Sequence, residues 1–185
     1  LNSTLLEIFL ALLPPTLTEL TIPYFHESSC IRSRIGILSK LPPRLKVLQL
    51  CPSFPVEALT YLPPSLVKLT LAQDPSTYAS VLFHIPDSIQ VVGIFEQIYS
   101  TLLRNWEPIR KMPKELKDLR IRGSLSFHPD FQFPNNLQTL MLSPYTSYIP
   151  KLPTTLHTLL LENVTLENFE FPSSLRKLSL EDLES

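Results

Sequence analysis

Glycine, cysteine and excess charge are all scarce in this sequence, and each shortage argues against a class of protein. Three glycines cannot supply the glycine-rich loops that hold phosphate in P-loop and dinucleotide-binding proteins. Two cysteines, Cys30 and Cys51, are too few for the cysteine-rich caps of many secreted repeat domains, so we expect a reducing, cytoplasmic compartment. A formal net charge of -1 argues against a general attraction to nucleic acid or to anionic membranes.

Residues with catalytic or metal-binding chemistry are few and scattered. No His-Glu-x-x-His sequence occurs, neither cysteine adjoins a basic residue, and the four histidines share no metal-ligand spacing: His26, His84, His128 and His157. We therefore expect a protein that is not an enzyme and that has no catalytic residue, metal or cofactor. The apolar stretch at residues 4–13 is interrupted by Glu7 and is too short to span a bilayer, so it predicts a helix.

Proline, by contrast, is abundant, and eight of the nineteen prolines occupy the same place in a repeated ten-residue phrase. In this decamer an apolar residue and Pro precede two variable positions and then Leu-x-x-Leu-x-Leu or a close relative. Consecutive copies lie 19 to 28 residues apart, a period typical of solenoids. The copies begin at Leu13, Leu41, Leu62, Ile85, Met112, Phe133, Leu152 and Phe171. We expect one repeat domain over residues 1–185, a fragment of a longer chain because it starts without Met.

Each decamer ends with two apolar residues that flank one variable position, which predicts a short strand with both apolar side chains on one face. The apolar residue three positions earlier is expected to fill the corner before the strand. Proline cannot donate to a sheet ladder, so its place keeps it outside the strand, where it stiffens the bend. The strands should lie parallel, one in each coil, about 4.8 Å apart. Because one coil buries too little apolar surface to fold alone, stacked coils should share a continuous core.

The segments between the decamers predict different structures in the two halves of the chain. In the first half they carry apolar residues at helical spacing, over residues 4–12, 31–38, 56–62, 77–83 and 97–106. After Arg122 they are shorter, with prolines, aromatic residues and near-alternation, which predicts extended backbone or single turns. We expect an α/β solenoid with helices on the convex side of its N-terminal half and extended segments on that side of its C-terminal half.

The decamer resembles the leucine-rich repeat signature Leu-Pro-x-x-Leu-x-x-Leu-x-Leu, most clearly in LPPSLVKLTL from Leu62 and FPSSLRKLSL from Phe171. It is similar to the FNIP-type repeats of amoebae and giant viruses and to the repeats of bacterial type III effectors of the IpaH and YopM families. The resemblance covers nearly the whole chain. It implies a right-handed leucine-rich repeat superhelix of about eight coils, with the parallel sheet on the concave side.

Strand residues that alternate with the inward leucines should face the concave side. Near the middle of the chain they combine aromatic, aliphatic and arginine side chains, a mixture enriched at protein interfaces. We therefore expect a partner-binding surface made of Gln49, Lys68, Phe95, Asp118, Arg120, Arg122, Met141 and Leu160. The alternative is that Phe95 folds over the edge of its coil, while Met141 and Leu160 only fill a mildly hydrophobic sheet.

Three functions fit these features. The first is a non-catalytic protein-protein interaction module that binds a partner on its concave face. The second is the substrate-recognition arm of a larger enzyme, a ubiquitin ligase or a kinase, whose catalytic domain lies outside this chain. The weakest is the binding of an anionic ligand, nucleic acid or phospholipid, through residues 104–122, which contain seven basic and three acidic side chains. A solvated convex face is the plainer interpretation of that basic cluster.

Overall fold

The end of every decamer forms a strand, and the eight strands lie side by side in chain order, all parallel, as the single sheet of a parallel β-solenoid. This computed structural model describes residues 3–22, 35–50, 56–73, 78–96, 108–123, 126–143, 149–162 and 169–181. The strands are β1 Glu19–Ile22, β2 Val47–Leu50, β3 Lys68–Gln73, β4 Val91–Glu96, β5 Asp118–Arg122, β6 Thr139–Ser143, β7 Thr158–Glu162 and β8 Lys177–Glu181. The predicted parallel sheet is confirmed.

All seven strand pairs have the same register, in which each decamer position lies beside its counterpart in the next decamer. At each pair, one carbonyl of the earlier decamer accepts two consecutive backbone N–H groups of the later one. The first of these carbonyls belongs to Thr18, which accepts from Lys46 at 2.8 Å and from Val47 at 3.0 Å. The others belong to Lys46, Val67, Gln90, Lys117, Gln138 and His157. The doubled contact fixes the point at which each strand begins.

The proline of each decamer closes a turn just before the strand. Its carbonyl accepts a hydrogen bond from the N–H group three residues on, at 3.0 to 3.3 Å in all eight decamers. In the first three decamers a second proline, at residues 15, 43 and 64, occupies the following position of this turn, where a fixed φ near −65° is favourable. Proline thus lies outside the strand and at the bend, as predicted.

Hydroxyl side chains connect some neighbouring corners. Ser65 Oγ donates to the carbonyl of Leu45 in the preceding decamer at 2.7 Å. The equivalent bond recurs at two later corners, from Thr155 at 2.9 Å and from Ser174 at 2.7 Å. Each hydroxyl belongs to the fourth position of its decamer. These bonds supply donors to backbone carbonyls at the bend, before the strand ladder begins.

The core lies on one face of the sheet and is built from the three apolar positions that end each decamer. In the second to seventh decamers all three side chains are 0% exposed, as in Leu66, Leu69 and Leu71. This confirms the predicted inward face for β2 to β7. Burial is incomplete at the two ends, where Leu20 of β1 is half-buried and Leu178 of β8 is 44% exposed.

In the described part of the chain, four helical segments pack behind the N-terminal half of the sheet. They are the α-helices α1 Ser3–Ala11 and α2 Tyr78–His84, and the 3₁₀ helices η1 Ile35–Lys40 and η2 Val56–Tyr61. Each contributes a side chain of at most 1% exposure to the core, namely Leu10, Leu38, Leu59 and Leu82. They overlap four of the five segments predicted to be helical, and residues 97–106, the fifth, lie outside the described residues. In the described part of the chain, no helix has the length and apolar character needed to cross a membrane.

Aromatic side chains fill the space behind the sheet after β5. The rings of Phe127, Phe131 and Phe133 pack against one another with centroids 5.1 to 5.3 Å apart, and each is 5 to 6% exposed. Phe127 also forms an isolated parallel bridge with Ile109. The segments predicted to be extended are described only in part, because residues 144–148 and 163–168 lie outside the described residues. The proposed contrast between the two halves of the convex side therefore stays a prediction.

Shared burial predicts that the same truncation has different effects at different decamers. Replacing the fully buried Leu69 by Ala should lower the free energy of unfolding by roughly 2 to 5 kcal/mol, because it leaves a cavity between two neighbouring decamers. The matched change Leu178→Ala, at the same decamer position in β8, should lower it by about 1 to 2 kcal/mol. Urea unfolding at low protein concentration measures both. Equal losses at the two positions would contradict a core shared between neighbouring decamers.

Candidate functional site

The face of the sheet opposite the core, here called the open face, carries all eight predicted site residues. Six of them lie on four successive strands: Phe95 on β4, Asp118, Arg120 and Arg122 on β5, Met141 on β6 and Leu160 on β7. The other two, Gln49 on β2 and Lys68 on β3, lie to one side of this group. The structure therefore brings six predicted residues together and places two at the margin.

Phe95 lies on the open face with its ring against the backbone of Gly93. A Cβ atom on Gly93 would come within 3.2 Å of Phe95 Cε2, so the ring occupies space that any other residue would partly fill. The ring thus folds back along its own strand, and the side chain is half-buried. This geometry differs from the alternative in which Phe95 covers the edge of its coil. Gly93 matters here because it has no side chain to hold the ring away from the sheet.

Two aliphatic side chains continue the apolar part of the open face. Met141 and Leu160 are direct neighbours in the strand register, and both are half-buried. Arg120 is the neighbour of Met141 on the other side. The arginines of β5 therefore lie between the Phe95 ring on β4 and the aliphatic pair on β6 and β7. Arginine stems are apolar, so the surface can remain continuous across β5 beneath the charged groups.

Arg120 is held by a carboxylate of its own strand. Its Nε donates to Asp118 Oδ1 at 3.0 Å and its Nη2 donates to Asp118 Oδ2 at 2.9 Å. These hydrogen bonds, and next the attraction between the opposite charges, raise the pKa of Arg120 above its ordinary value, against a smaller lowering by burial. The two-point contact fixes the plane of the guanidinium. Arg120 is therefore a charged and oriented group at the centre of the open face.

Arg122 has a carboxylate partner two strands away. Its register neighbour on β6 is Ser143, whose small side chain leaves room above the sheet. The guanidinium extends across β6 to Glu162 on β7, with Nη2 and Oε1 3.7 Å apart. Glu162 was not among the predicted site residues. Its signal in the sequence is its place directly after a decamer, which is the place that Arg122 has two copies earlier.

The open face thus combines apolar and charged groups whose charges balance locally. Two guanidiniums, of Arg120 and Arg122, are matched by the carboxylates of Asp118 and Glu162. Such a surface offers shape and oriented hydrogen-bonding groups, and it has little net charge of its own. Among the residues that the structure describes, no group of three or more His, Cys, Asp or Glu side chains is arranged to hold a metal ion.

The basic cluster at residues 104–122 is divided between separate surfaces. Arg120 and Arg122 lie on the open face, whereas Arg110 and Lys111 line a groove of about 270 Å³. The Nζ of Lys111 lies 5.4 Å from the ring centroid of Phe83, an exposed side chain of α2. The rest of the lining is Ala79, Ser80, His84 and Pro108. Sequence reasoning missed this groove, because Phe83 precedes the basic residues by almost thirty positions and only the fold brings them together.

No protein-family model, no curated protein and no solved structure matches this chain. The resemblance of the decamer to leucine-rich repeats therefore stays a prediction, and the geometry of the open face and of the groove is the basis for proposing a function.

The contact between Gly93 and the Phe95 ring predicts a measurable coupling. With Phe95 present, Gly93→Ala should change stability little, because the gain in strand preference is offset when the new methyl group pushes the ring. With Phe95→Ala already made, the same change should stabilise the protein by about 0.5 to 1 kcal/mol, since the methyl group then meets no ring. A double-mutant cycle in urea measures the difference. Equal effects of Gly93→Ala in both backgrounds would show that the ring does not lie on Gly93.

Proposed function

We propose that this chain is a leucine-rich repeat solenoid of eight coils that acts as a non-catalytic protein-binding module, with the open face as its concave docking surface. The observation that carries the proposal is the packing of Phe95 on Gly93 next to two arginines that are already paired with carboxylates. A few residues supply most of the binding energy at protein interfaces, and aromatic and arginine side chains are enriched there. Here they stand on strands, the most rigid part of the fold.

The arrangement of these side chains favours binding because little freedom remains to be lost. The guanidinium of Arg120 is fixed at two points by Asp118, and that of Arg122 is drawn toward Glu162. The Phe95 ring is confined by contact with the sheet. Ordering a flexible side chain at an interface costs about 0.5 to 1.5 kcal/mol, so a face ordered in advance retains more of its contact energy.

The size of the open face fits a partner of ordinary dimensions. From β2 to β7 the strands extend about 24 Å across the sheet at the usual strand spacing. A standard protein interface covers roughly 800 Å² on each partner, which corresponds to a patch of similar width. Gln49 and Lys68 would then lie at the rim, while Phe95, Arg120 and Met141 would lie near the centre.

Changes on the open face should weaken partner capture strongly. In pull-downs with the immobilised chain, Phe95→Ala and Arg122→Glu should each reduce retention of the captured proteins at least about tenfold, because the first removes the aromatic anchor and the second reverses a central charge. Arg44→Glu is the matched control, since it reverses an exposed charge in a turn outside the open face. Retention of the same proteins by all three variants and the wild type would remove the open face from consideration.

A second candidate function is the binding of an anionic ligand in the groove beside α2. The groove brings two cations, Arg110 and Lys111, next to the exposed ring of Phe83, and no acidic side chain is among its described lining residues. Aromatic and cationic groups together suit a ligand that carries both a flat ring and a negative charge. The arginines of the open face are less suited to this task, because each already has a carboxylate nearby.

Heparin affinity separates the two basic surfaces. If the groove binds anions, heparin should retain the wild-type chain at low salt. The double variant Arg110→Ser with Lys111→Ser should elute at clearly lower salt, because both cations that contact the anionic groups of heparin are lost. The matched pair Arg120→Ser with Arg122→Ser should change elution much less. Absence of retention of the wild-type chain at low salt would rule out this second candidate.

A further inference from the structure

One row of the open face joins apolar and charged groups across four neighbouring strands. In this central row, which crosses β4 to β7, the register places Gly93, Arg120, Met141 and Leu160 side by side. Gly93 has no side chain, and the ring of Phe95 fills its place, with Cε2 and Cζ 3.2 and 3.5 Å from the point that a Cβ on Gly93 would occupy. The row therefore presents an aromatic ring, a guanidinium, a thioether and a branched aliphatic group, in that order.

The paired charges of the open face differ in how much of each reaches solvent. The side chains of Arg120 and Arg122 are 52% and 57% exposed, whereas those of their partners Asp118 and Glu162 are 20% and 19% exposed. A molecule that docks on this face thus meets mainly guanidinium groups. The pairing reduces the attraction of a distant anion, because opposite charges nearly cancel at long range, but guanidinium N–H groups can still donate at contact distance.

Arg120 retains donors for a docked group. Asp118 accepts from its Nε and Nη2 atoms, and a guanidinium has more N–H groups than one carboxylate can accept. In the part of the chain that the structure describes, no other acceptor contacts Arg120. A second carboxylate is a strong acceptor for the remaining N–H groups, and the Phe95 ring and Met141 on either side would shield such a bond from water.

The spacing of the central row is close to the pitch of an α-helix. Neighbouring strands lie about 4.8 Å apart and an α-helix advances about 5.4 Å in each turn, so successive turns of a helix laid along the row fall near successive strands. Across the row, about 14 Å long, the accumulated mismatch is about 2 Å. An extended segment repeats the side chains of one face every ~6.7 Å and would be out of step by about 6 Å. The row therefore suits a helix better than a strand.

We propose that the partner contributes an amphipathic α-helix that lies along the central row, with one Asp or Glu of its apolar face opposite Arg120. This inference rests on the proposed protein-binding function and names the kind of segment that the open face takes. Apolar side chains one turn to either side of the acidic residue, three or four positions away, contact the Phe95 ring and Met141. A helix without the acidic residue would cover the remaining N–H groups of Arg120 and give them no acceptor, which is unfavourable.

Selection from a library of helices tests the proposal while the natural partner is unknown. A single helical peptide with one randomised face is displayed on phage and selected on the immobilised wild-type chain. The enriched helices should carry Asp or Glu at one position of that face and apolar residues on the turns to either side. Selected peptides should also bind the Phe95→Ala chain at least about tenfold more weakly, because the aromatic anchor is then missing.

Exchanging the acidic residue of a selected peptide for its amide isolates the contact with Arg120. Measured by fluorescence anisotropy, this exchange should weaken binding to the wild type by about tenfold. It should not weaken binding to the Arg120→Gln chain, in which the carboxylate of Asp118 has lost its partner and repels an acidic peptide. Arg44→Gln, an exposed change outside the open face, is the matched control and should keep the full loss. The exchange is made in the peptide, so it cannot disturb the fold of the chain.

The outcomes separate this inference from the proposed function on which it rests. Selected helices that require Phe95 but carry no acidic residue overturn the inference and leave the binding function of the open face intact. A library that yields no binder likewise overturns the inference alone. Binders whose affinity is the same for the Phe95→Ala chain and the wild type overturn both, because they show that the helix docks elsewhere.

Discussion

The burial of each decamer against its neighbours is the constraint on which the rest of the structure depends. Inside the solenoid the three inward side chains of a decamer have no exposed surface, and at β8 the same positions are partly open to solvent. A single decamer with its connecting segment would order about twenty residues for three buried apolar groups, which is an unfavourable exchange. Stability therefore depends on the number of neighbours, and the chain folds as an array.

The same constraint determines the chemistry of the open face. Because the inward leucines and the doubled carbonyl contact fix the register, equal decamer positions fall into straight rows across the sheet. Residues far apart in sequence are thereby placed side by side, as with Arg120 and Met141, and only alternate positions are free to vary. Gly93 and Ser143 show how such variation acts, since one small residue admits the Phe95 ring and the other lets Arg122 reach Glu162.

Much of the backbone could be predicted from the sequence, because it follows from two periods. The spacing of the decamers indicated the parallel strands, and the alternation within each decamer indicated which side chains turn inward. The eight open-face residues were identified for the same reason. Side-chain directions could not be predicted in this way, since no period determines whether Arg122 turns toward Phe95 or toward Glu162. The groove with Phe83 and Lys111 was missed because it depends on how α2 packs beside residues that come almost thirty positions later. The apolar pattern of a helix does not indicate which later segment lies beside it.

Regularity also explains how an array of similar decamers can carry a surface that is particular to one place. An open-face residue differs from decamer to decamer, so a partner that docks there must match one particular set of side chains, centred on Phe95 and Arg120. The inward positions are instead apolar in every decamer, so they cannot distinguish one place in the array from another. Any selectivity must therefore come from the positions that alternate with the inward residues, because only these differ from strand to strand.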